Sequence, residues 1–314
     1  MPLPQPGEAQ IYVKVSALNG GLITLPDHCF VHPSNTEDKR TVPSLAFLIQ
    51  HPMGTPLRCN GARKSRKMLF DLGLRSALEQ YLPSQQAHIR NNRVPYRLGP
   101  SIAEQLRTGG IQADDVDTVL LSHVHYDHHG DPEDFENAQF IVGPGSLAVL
   151  RNGLPDQTAS HQAFDPNLLP LNRTTELPPL RNRKDSTIPS WSPLGPFPNA
   201  YDLFSDGSVY IIDSPGHLPG HINLLCRVSP TKWIYLGGDS AHDARLLTAE
   251  KEIGTWEDKN GNTQCIHLNR EAAEQTIGRI RELTLSNPDV EIILAHDEAW
   301  LARNQKNMYP EMLN

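Results

Sequence analysis

The stretch Ser122-His123-Val124-His125-Tyr126-Asp127-His128-His129 packs a run of imidazoles and a carboxylate into little more than two helical turns' worth of chain. The residues before it, Thr118-Val119-Leu120-Leu121, read as a buried strand, so the cluster sits on the loop that follows a strand end. His123 and His125 are two apart and can face one side of an extended segment. Asp127 and His128 come after the chain has turned and can face a second point. Imidazole nitrogen and carboxylate oxygen are the ligands zinc takes in catalytic sites. A histidine-rich surface loop is the competing reading, and it does not account for so dense a run.

As it stands, the H-x-H-x-D-H pattern of His123, His125, Asp127 and His128 resembles the metallo-β-lactamase superfamily. The resemblance asks for three further ligands in a set order. Candidates are His217 in Pro215-Gly216-His217, Asp239 in Gly237-Gly238-Asp239, and His296 in Leu294-Ala295-His296-Asp297. It spans about residues 40 to 300. It implies an α/β fold, an αβ/βα sandwich of two mixed β-sheets flanked by helices, with two metals on one rim. It puts His123, His125 and His217 on one metal and Asp127, His128 and His296 on the other, with Asp239 bridging. It also places Asp71 beneath the site as a support. His221 of Gly220-His221 is read as a supporting residue too, His129 as hydrogen-bonded or exposed, and His161 as structural or exposed.

The cofactors implied are two Zn2+, although iron or manganese suits the same ligands. The expected chemistry is hydrolysis by a hydroxide held between the metals, with Asp127 orienting it and then carrying a proton to the leaving group. Within the superfamily, Ser122 to His128 and Gly216 to His221 look most like the N-acyl homoserine lactonase, or quorum-quenching, group. That group has a tyrosine three residues after the bridging aspartate, touching the lactone carbonyl. His242 stands there in this chain. It either replaces the tyrosine as a catalytic donor or faces solvent. The expected activity is opening of a lactone, the alternative being thioester hydrolysis on an acyl carrier or polyketide. A binding scaffold that has lost its metals conflicts with seven filled ligand positions.

Composition narrows the partners. With 28 Lys and Arg against 36 Asp and Glu the net charge is -8, which disfavours a nucleic-acid substrate. A small-molecule ester or lactone is expected, handled by a monomer or homodimer. No apolar run is long enough to span a membrane. The start, Met1-Pro2-Leu3-Pro4, lacks the basic and apolar regions of a signal peptide, and the 4 cysteines show no C-x-x-C pairing. A reduced, cytoplasmic protein is the expectation.

The elements that must position these residues follow from period and punctuation. Strands are expected at Ile11 to Ala17, Ser44 to Gln50, Met68 to Gly73, Ala138 to Val142, Gly207 to Asp213, Ile222 to Val228, Lys232 to Leu236 and Val290 to Ala295. Asn19-Gly20-Gly21 reads as a turn, residues 26 to 42 as irregular, and Gly54 to Lys67, with Arg58, Arg63 and Lys64, as a solvated hairpin tip. Helices are expected from Ser101 to Thr108, from Ser146, and from an Asn269 cap to about Ser286. The chain reads as a single domain over 1–314. Residues 151–204, rich in proline and carrying Trp191, Phe197 and Phe204, read as an insertion covering the active site, the alternative being a surface excursion or dimer contact.

Overall fold

A computed structural model describes residues 1–52, 66–154, 161–180, 191–258 and 260–313. Of the expected hairpin tip, residues 54–65, including Arg58, Arg63 and Lys64, lie outside the described residues, and Arg66 and Lys67 belong to a strand rather than to the tip. In chain order the strands are β1 (Lys14–Pro26), β2 (Val31–His32), β3 (Lys39–His51), β4 (Arg66–Phe70), β5 (Thr118–Leu120), β6 (Gln139–Val142), β7 (Thr174–Glu176), β8 (Ser192–Leu194), β9 (Phe197–Asp202), β10 (Val209–Asp213), β11 (Ile222–Arg227), β12 (Trp233–Leu236), β13 (Glu252–Ile253), β14 (Thr255–Glu257), β15 (Thr263–Cys265) and β16 (Val290–Ile293). The helices are α1 (Pro83–Asn92), α2 (Ile102–Thr108), α3 (Ser146–Asn152), α4 (Ala244–Leu247), α5 (Arg270–Ser286) and α6 (Glu298–Asn304).

Two six-stranded mixed sheets, in the orders β1-β3-β4-β5-β6-β7 and β16-β12-β11-β10-β9-β8, stack face to face. Alternation along each strand divides its side chains between two layers. Leu45, Phe47 and Ile49 of β3 meet Ile211, Ile222, Leu224 and Ile234 of the opposite sheet. Ala46 and Leu48 point the other way, to a layer shared with Ile102 and Leu106 of α2 and Val149 and Leu150 of α3. On the far face, Leu225, Trp233 and Tyr235 receive Ile280 and Leu283 of α5. This is the expected sandwich, with helices on both outer faces. No helix among the described residues is long and apolar enough to cross a membrane.

Strand direction carries the site to one rim. β4 and β5 are parallel, as are β12 and β16, so each pair releases its chain at a shared edge. Backbone bonds then stitch the two sheets there: Ile222 N–H donates to Ser122 O at 2.8 Å and Leu45 N–H to Ala295 O at 3.0 Å.

Local chemistry explains the helices. Ser101 Oγ accepts from Glu104 N–H at 3.2 Å while Glu104 Oε2 accepts from Ser101 N–H at 2.9 Å, a reciprocal cap that starts α2. Asn269 Oδ1 accepts from Ala272 N–H at 3.0 Å and starts α5.

Several expectations are corrected. Asn19-Gly20-Gly21 does not turn; β1 runs through it with a shift of register between Asn19 and Leu22. Glycine serves close approach here, because a Cβ on Gly20 would lie 2.5 Å from Gly73 Cα. The irregular span 26 to 42 contains β2 and the start of β3. Helices α1, α4 and α6 and the β14–β15 hairpin have short or polar sequences and gave no periodic signal. The Pro-rich stretch contributes β7 to the first sheet and β8 and β9 to the second, with 155–160 and 181–190 outside the described residues.

The turn before His217 rests on the first turn of α5. Asn269 N–H donates to Gly216 O at 2.8 Å, and Thr276 Oγ–H to Pro215 O at 2.8 Å. Gly216 has φ +135°, and a Cβ there would lie 2.3 Å from Ala273 N. Gly216→Ala is therefore expected to cost roughly 1–3 kcal/mol of stability, the range for forced overpacking. Urea unfolding with an unchanged slope and a lowered midpoint would show it.

Candidate metal centre

Five strand ends converge on one point at the rim. β5 leads into Ser122–His128, the end of β4 supplies Asp71, and the turns after β10, β12 and β16 carry His217, Asp239 and His296. All of these side chains are buried.

Asp239 lies at the centre. Its Oδ2 is 3.3 Å from His217 Nε2 and 3.7 Å from His123 Nε2. Its Oδ1 is 3.1 Å from His128 Nε2 and 3.3 Å from His296 Nε2. His125 Nδ1 is 2.9 Å from both His123 Nε2 and His217 Nε2. Asp127 Oδ2 is 3.7 Å from His296 Nε2. Four overlapping sets of donor atoms, each within 4.8 Å, result among the described residues: His123, His125, His217 and Asp239; Asp127, His128 and His296; and, through His242, His217, His242 and His267, and Asp239, His242 and His296. All seven residues expected from the sequence are thus brought together, with one oxygen of Asp239 turned to each of the first two sets.

The donor set fits divalent metal. Three imidazole nitrogens aimed at one another cannot satisfy each other by hydrogen bonding alone, and a shared cation would satisfy all three. His128 Nε2 and Asp239 Oδ1, both buried, lie 3.1 Å apart, and neither forms a well-directed hydrogen bond. Burial holds His123, His125 and His217 well below the usual histidine range, keeping them neutral as metal ligation requires. At His128 and His296 burial acts in the same sense, but Asp239, with Asp71 at His128 and Asp127 at His296, outweighs it and raises both. Burial would raise Asp239; His128, His296 and His242 hold it well below the carboxylate range.

A second ring of contacts fixes the ligands. Asp71 Oδ1 accepts from Ser122 N–H at 2.6 Å. Its Oδ2 accepts from Ser122 Oγ–H at 2.7 Å and lies 2.9 Å from His128 Nδ1. Ser122 Oγ is also 3.0 Å from His123 Nδ1, so one buried carboxylate orients a histidine in each of the first two sets. Asp71 does so at φ +59°, a conformation few residues other than glycine, asparagine and aspartate tolerate. His221 Nε2 accepts from Asp239 N–H at 3.0 Å, and His296 Nδ1 donates to Pro43 O at 2.7 Å. His129 is buried, its Nδ1 3.0 Å from Gly130 O.

His242 Nε2 lies 3.1 Å from Asp239 Oδ2, and its ring stacks on His296 and touches Phe30. It is buried and lines the pocket over Asp127, Asp239 and His296, so the solvent-facing alternative is removed. Leu25, Phe30, Arg93, Tyr126, His161 and Ile266 complete that pocket. Phe30, Arg93, His161 and Ile266 also line a cleft of about 850 Å3, which is the way in from outside.

Sequence reasoning missed most of this wall. Phe30, Arg93 and Ile266 carry no motif and come from distant parts of the chain. His267 was also missed; it is buried against His217 and His242 with no hydrogen-bond partner on either ring nitrogen. His161, expected to be structural or exposed, lines both pocket and cleft, and Phe164 stacks on His125. Trp191 and Phe197, by contrast, pack away from the pocket. Trp191 abuts the core between the sheets, and Phe197 stacks on Tyr235 under α5.

A mixed two-sheet sandwich with histidines and aspartates gathered on one rim defines a fold class built around a candidate metal centre. Residues 64–237 match the Metallo-beta-lactamase superfamily, and the chain belongs to it. It is 31% identical over 296 residues to a protein named cytochrome P450 monooxygenase mpaDE' from Penicillium brevicompactum, covering 88% of this chain and 32% of that one. The chain thus spans about a third of the length of the first curated relatives it matches. It is 34% identical to gamma-lactamase MBL2 of Gibberella moniliformis, over 56% of this chain and 70% of the relative. Its fold matches a solved N-acyl homoserine lactone hydrolase with N-hexanoyl-L-homoserine bound at the catalytic metal center, at TM-score 0.65 and 15% identity, covering 97% of this chain and 100% of that one.

Asp71→Ala is expected to lower the affinity of the purified protein for zinc about 10- to 100-fold, the usual effect of removing a residue that orients ligands. Competition with a chromophoric chelator measures it. An affinity equal to that of the unaltered protein would restrict Asp71 to a role in folding.

Proposed function

We propose that this chain is a dinuclear-zinc hydrolase that opens lactones. The observation that carries the reading is the placement of Asp239, one oxygen toward each of the first two sets of donors. His123, His125 and His217 would hold one ion, Asp127, His128 and His296 the other, and Asp239 would bridge them. Two divalent ions held there would make water acidic enough to attack near neutral pH and would polarise the ester carbonyl.

The chain's own residues supply the rest. Asp127 stands at the edge of the second set, where its carboxylate can take a proton from attacking water and deliver it to the departing alkoxide. His242 Nε2 lies beside Asp239 Oδ2, and with that carboxylate oxygen turned to a bound ion the Nε2–H would be released to donate to the carbonyl oxygen as negative charge develops. Leu25, Phe30 and Ile266 keep bulk water from the reacting bond. His161 and Phe164 brace His125 from the Pro-rich stretch, which supports reading part of 151–204 as a cover over the site.

A cyclic amide is the second reading, favoured by the 34% identity to a protein named gamma-lactamase. The same atoms would serve, but an amine must be protonated as it leaves, which places more demand on Asp127. Thioester hydrolysis remains the alternative drawn from the site alone. A panel of lactones, γ-lactams and acyl thioesters on zinc-loaded protein distinguishes the three; kcat/KM is expected to be highest for a lactone by at least tenfold. Faster γ-lactam or thioester turnover would replace the assignment.

Two substitutions test the roles. Asp239→Ala is expected to leave one bound zinc or none, against two per chain in the unaltered protein, by elemental analysis. His242→Phe should keep both ions and lower kcat. Loss of one oxyanion donor costs about 10^2- to 10^3-fold, and the lower end or less is expected because metal shares the oxygen. His242→Tyr should recover part of the loss, and an unchanged kcat in His242→Phe would take His242 out of the mechanism.

A further inference from the structure

At the neck between the metal pocket and the outer cleft sits Arg93, the residue that ends α1, with 7% of its surface exposed. It lines both spaces. Its Nε–H donates to Tyr126 Oη at 3.1 Å and its Nη1–H to Asn92 O at 3.0 Å. A guanidinium offers five N–H groups in a fixed fork, so these two bonds leave donors to spare. Among the described residues no carboxylate forms an ion pair with it. Of the other arginines, buried Arg75 pairs with Asp131 and Glu133 and partly buried Arg40 with Asp27, Asp243 and Glu298, while buried Arg227, on β11, has no carboxylate among the described residues but stacks on Trp233 and donates to Pro4 O.

Taking a cation out of water without a counter-charge is costly, and proteins ordinarily pair it. Tyr126 and the Asn92 carbonyl are neutral acceptors and do not cancel the charge. The neighbours add no negative charge either. His88 and His161 line the cleft beside Arg93, and neither a neutral nor a protonated imidazole carries negative charge. Farther out the cleft carries Lys39, His28 and Glu37. Two divalent ions at the cluster would be balanced by Asp71, Asp127, Asp239 and the attacking hydroxide, so the uncompensated positive charge on the path to the reacting bond lies at its neck, on Arg93.

We infer that Arg93 binds an anionic group of the substrate, a carboxylate held by the guanidinium fork while the scissile carbonyl lies at the metal centre. Carboxylate matches the planar, two-pronged geometry that the fork offers. The inference rests on the metallo-hydrolase reading of the site and narrows its substrate class to esters or amides that carry a carboxylate beside the reacting ring. Arg93 then sets specificity and takes no part in bond breaking.

The test separates binding from turnover. N-butanoyl- and N-succinyl-2-aminocyclopentanone match in length, lack a hydrolysable ring, and differ by one carboxylate. Calorimetry on the zinc-loaded protein is expected to show the succinyl compound binding at least tenfold tighter. Arg93→Gln should abolish that preference with zinc content unchanged, and Arg93→Lys should keep part of it. A preference that survives in Arg93→Gln would assign the carboxylate to the metals, and equal weakening of both compounds would make Arg93 a structural partner of Tyr126. Either result, or the absence of a preference in the unaltered protein, overturns the inference. Turnover of the matching N-butanoyl and N-succinyl homoserine lactones forms a separate arm. Failure to open either lactone counts against the proposed reaction and leaves the binding result standing.

Discussion

A single buried carboxylate holds the rim together. Asp239 is anionic in a place where burial alone would neutralise it, and it stays so because His128, His296 and His242 surround it. Each of its oxygens turns to a different group of imidazoles, and its own backbone N–H is held by His221. Two divalent ions there would convert this concentration of ligands from an electrostatic cost into a stabilising interaction. The sandwich beneath supplies what the ligands cannot. Parallel strand pairs in both sheets release their chains at one edge, and cross-sheet backbone bonds keep the edges in register.

Rigidity of that arrangement comes from residues that would bind no metal. Asp71 reaches from the end of β4 to Ser122 and His128, at a backbone conformation that resists replacement. Gly216 lets the His217 turn lie directly on α5. These contacts fix histidine orientation before any ion arrives, which keeps reorganisation small when one binds.

The substrate side is built from other parts of the chain. Phe30 follows β1, Arg93 ends α1, His161 comes from the Pro-rich stretch, and Ile266 follows β15. Each lies on a segment connecting the framework of strands, where a change of sequence leaves the sheets intact. Members of one superfamily can thus share a rim and differ in what they hydrolyse, as the lactamase and lactonase names among the relatives illustrate.

What the sequence determined by itself was the framework and the ligand inventory. Short spacing at one strand end marks His123, His125, Asp127 and His128 as candidate ligands, and the family resemblance adds His217, Asp239 and His296, which the fold brings beside them. Continuous apolar runs likewise mark β3, β4, β11 and β12, since a strand buried on two sides must spend its residues on packing. Tertiary structure alone decided the wall of the pocket. Arg93, Phe30, His161 and Ile266 lie far apart in the chain and share no spacing, so only folding shows that they meet. Asn19-Gly20-Gly21 illustrates the same limit. Locally it reads as a turn, and the close approach of Gly73 from another strand makes it a bulge in β1. Trp191 and Phe197 are the converse case: aromatics in a Pro-rich stretch suggest a cover, and the partner surfaces under the second sheet claim them for the core. Ligand chemistry is written in local spacing; the shape around it depends on contacts between segments that no local spacing encodes.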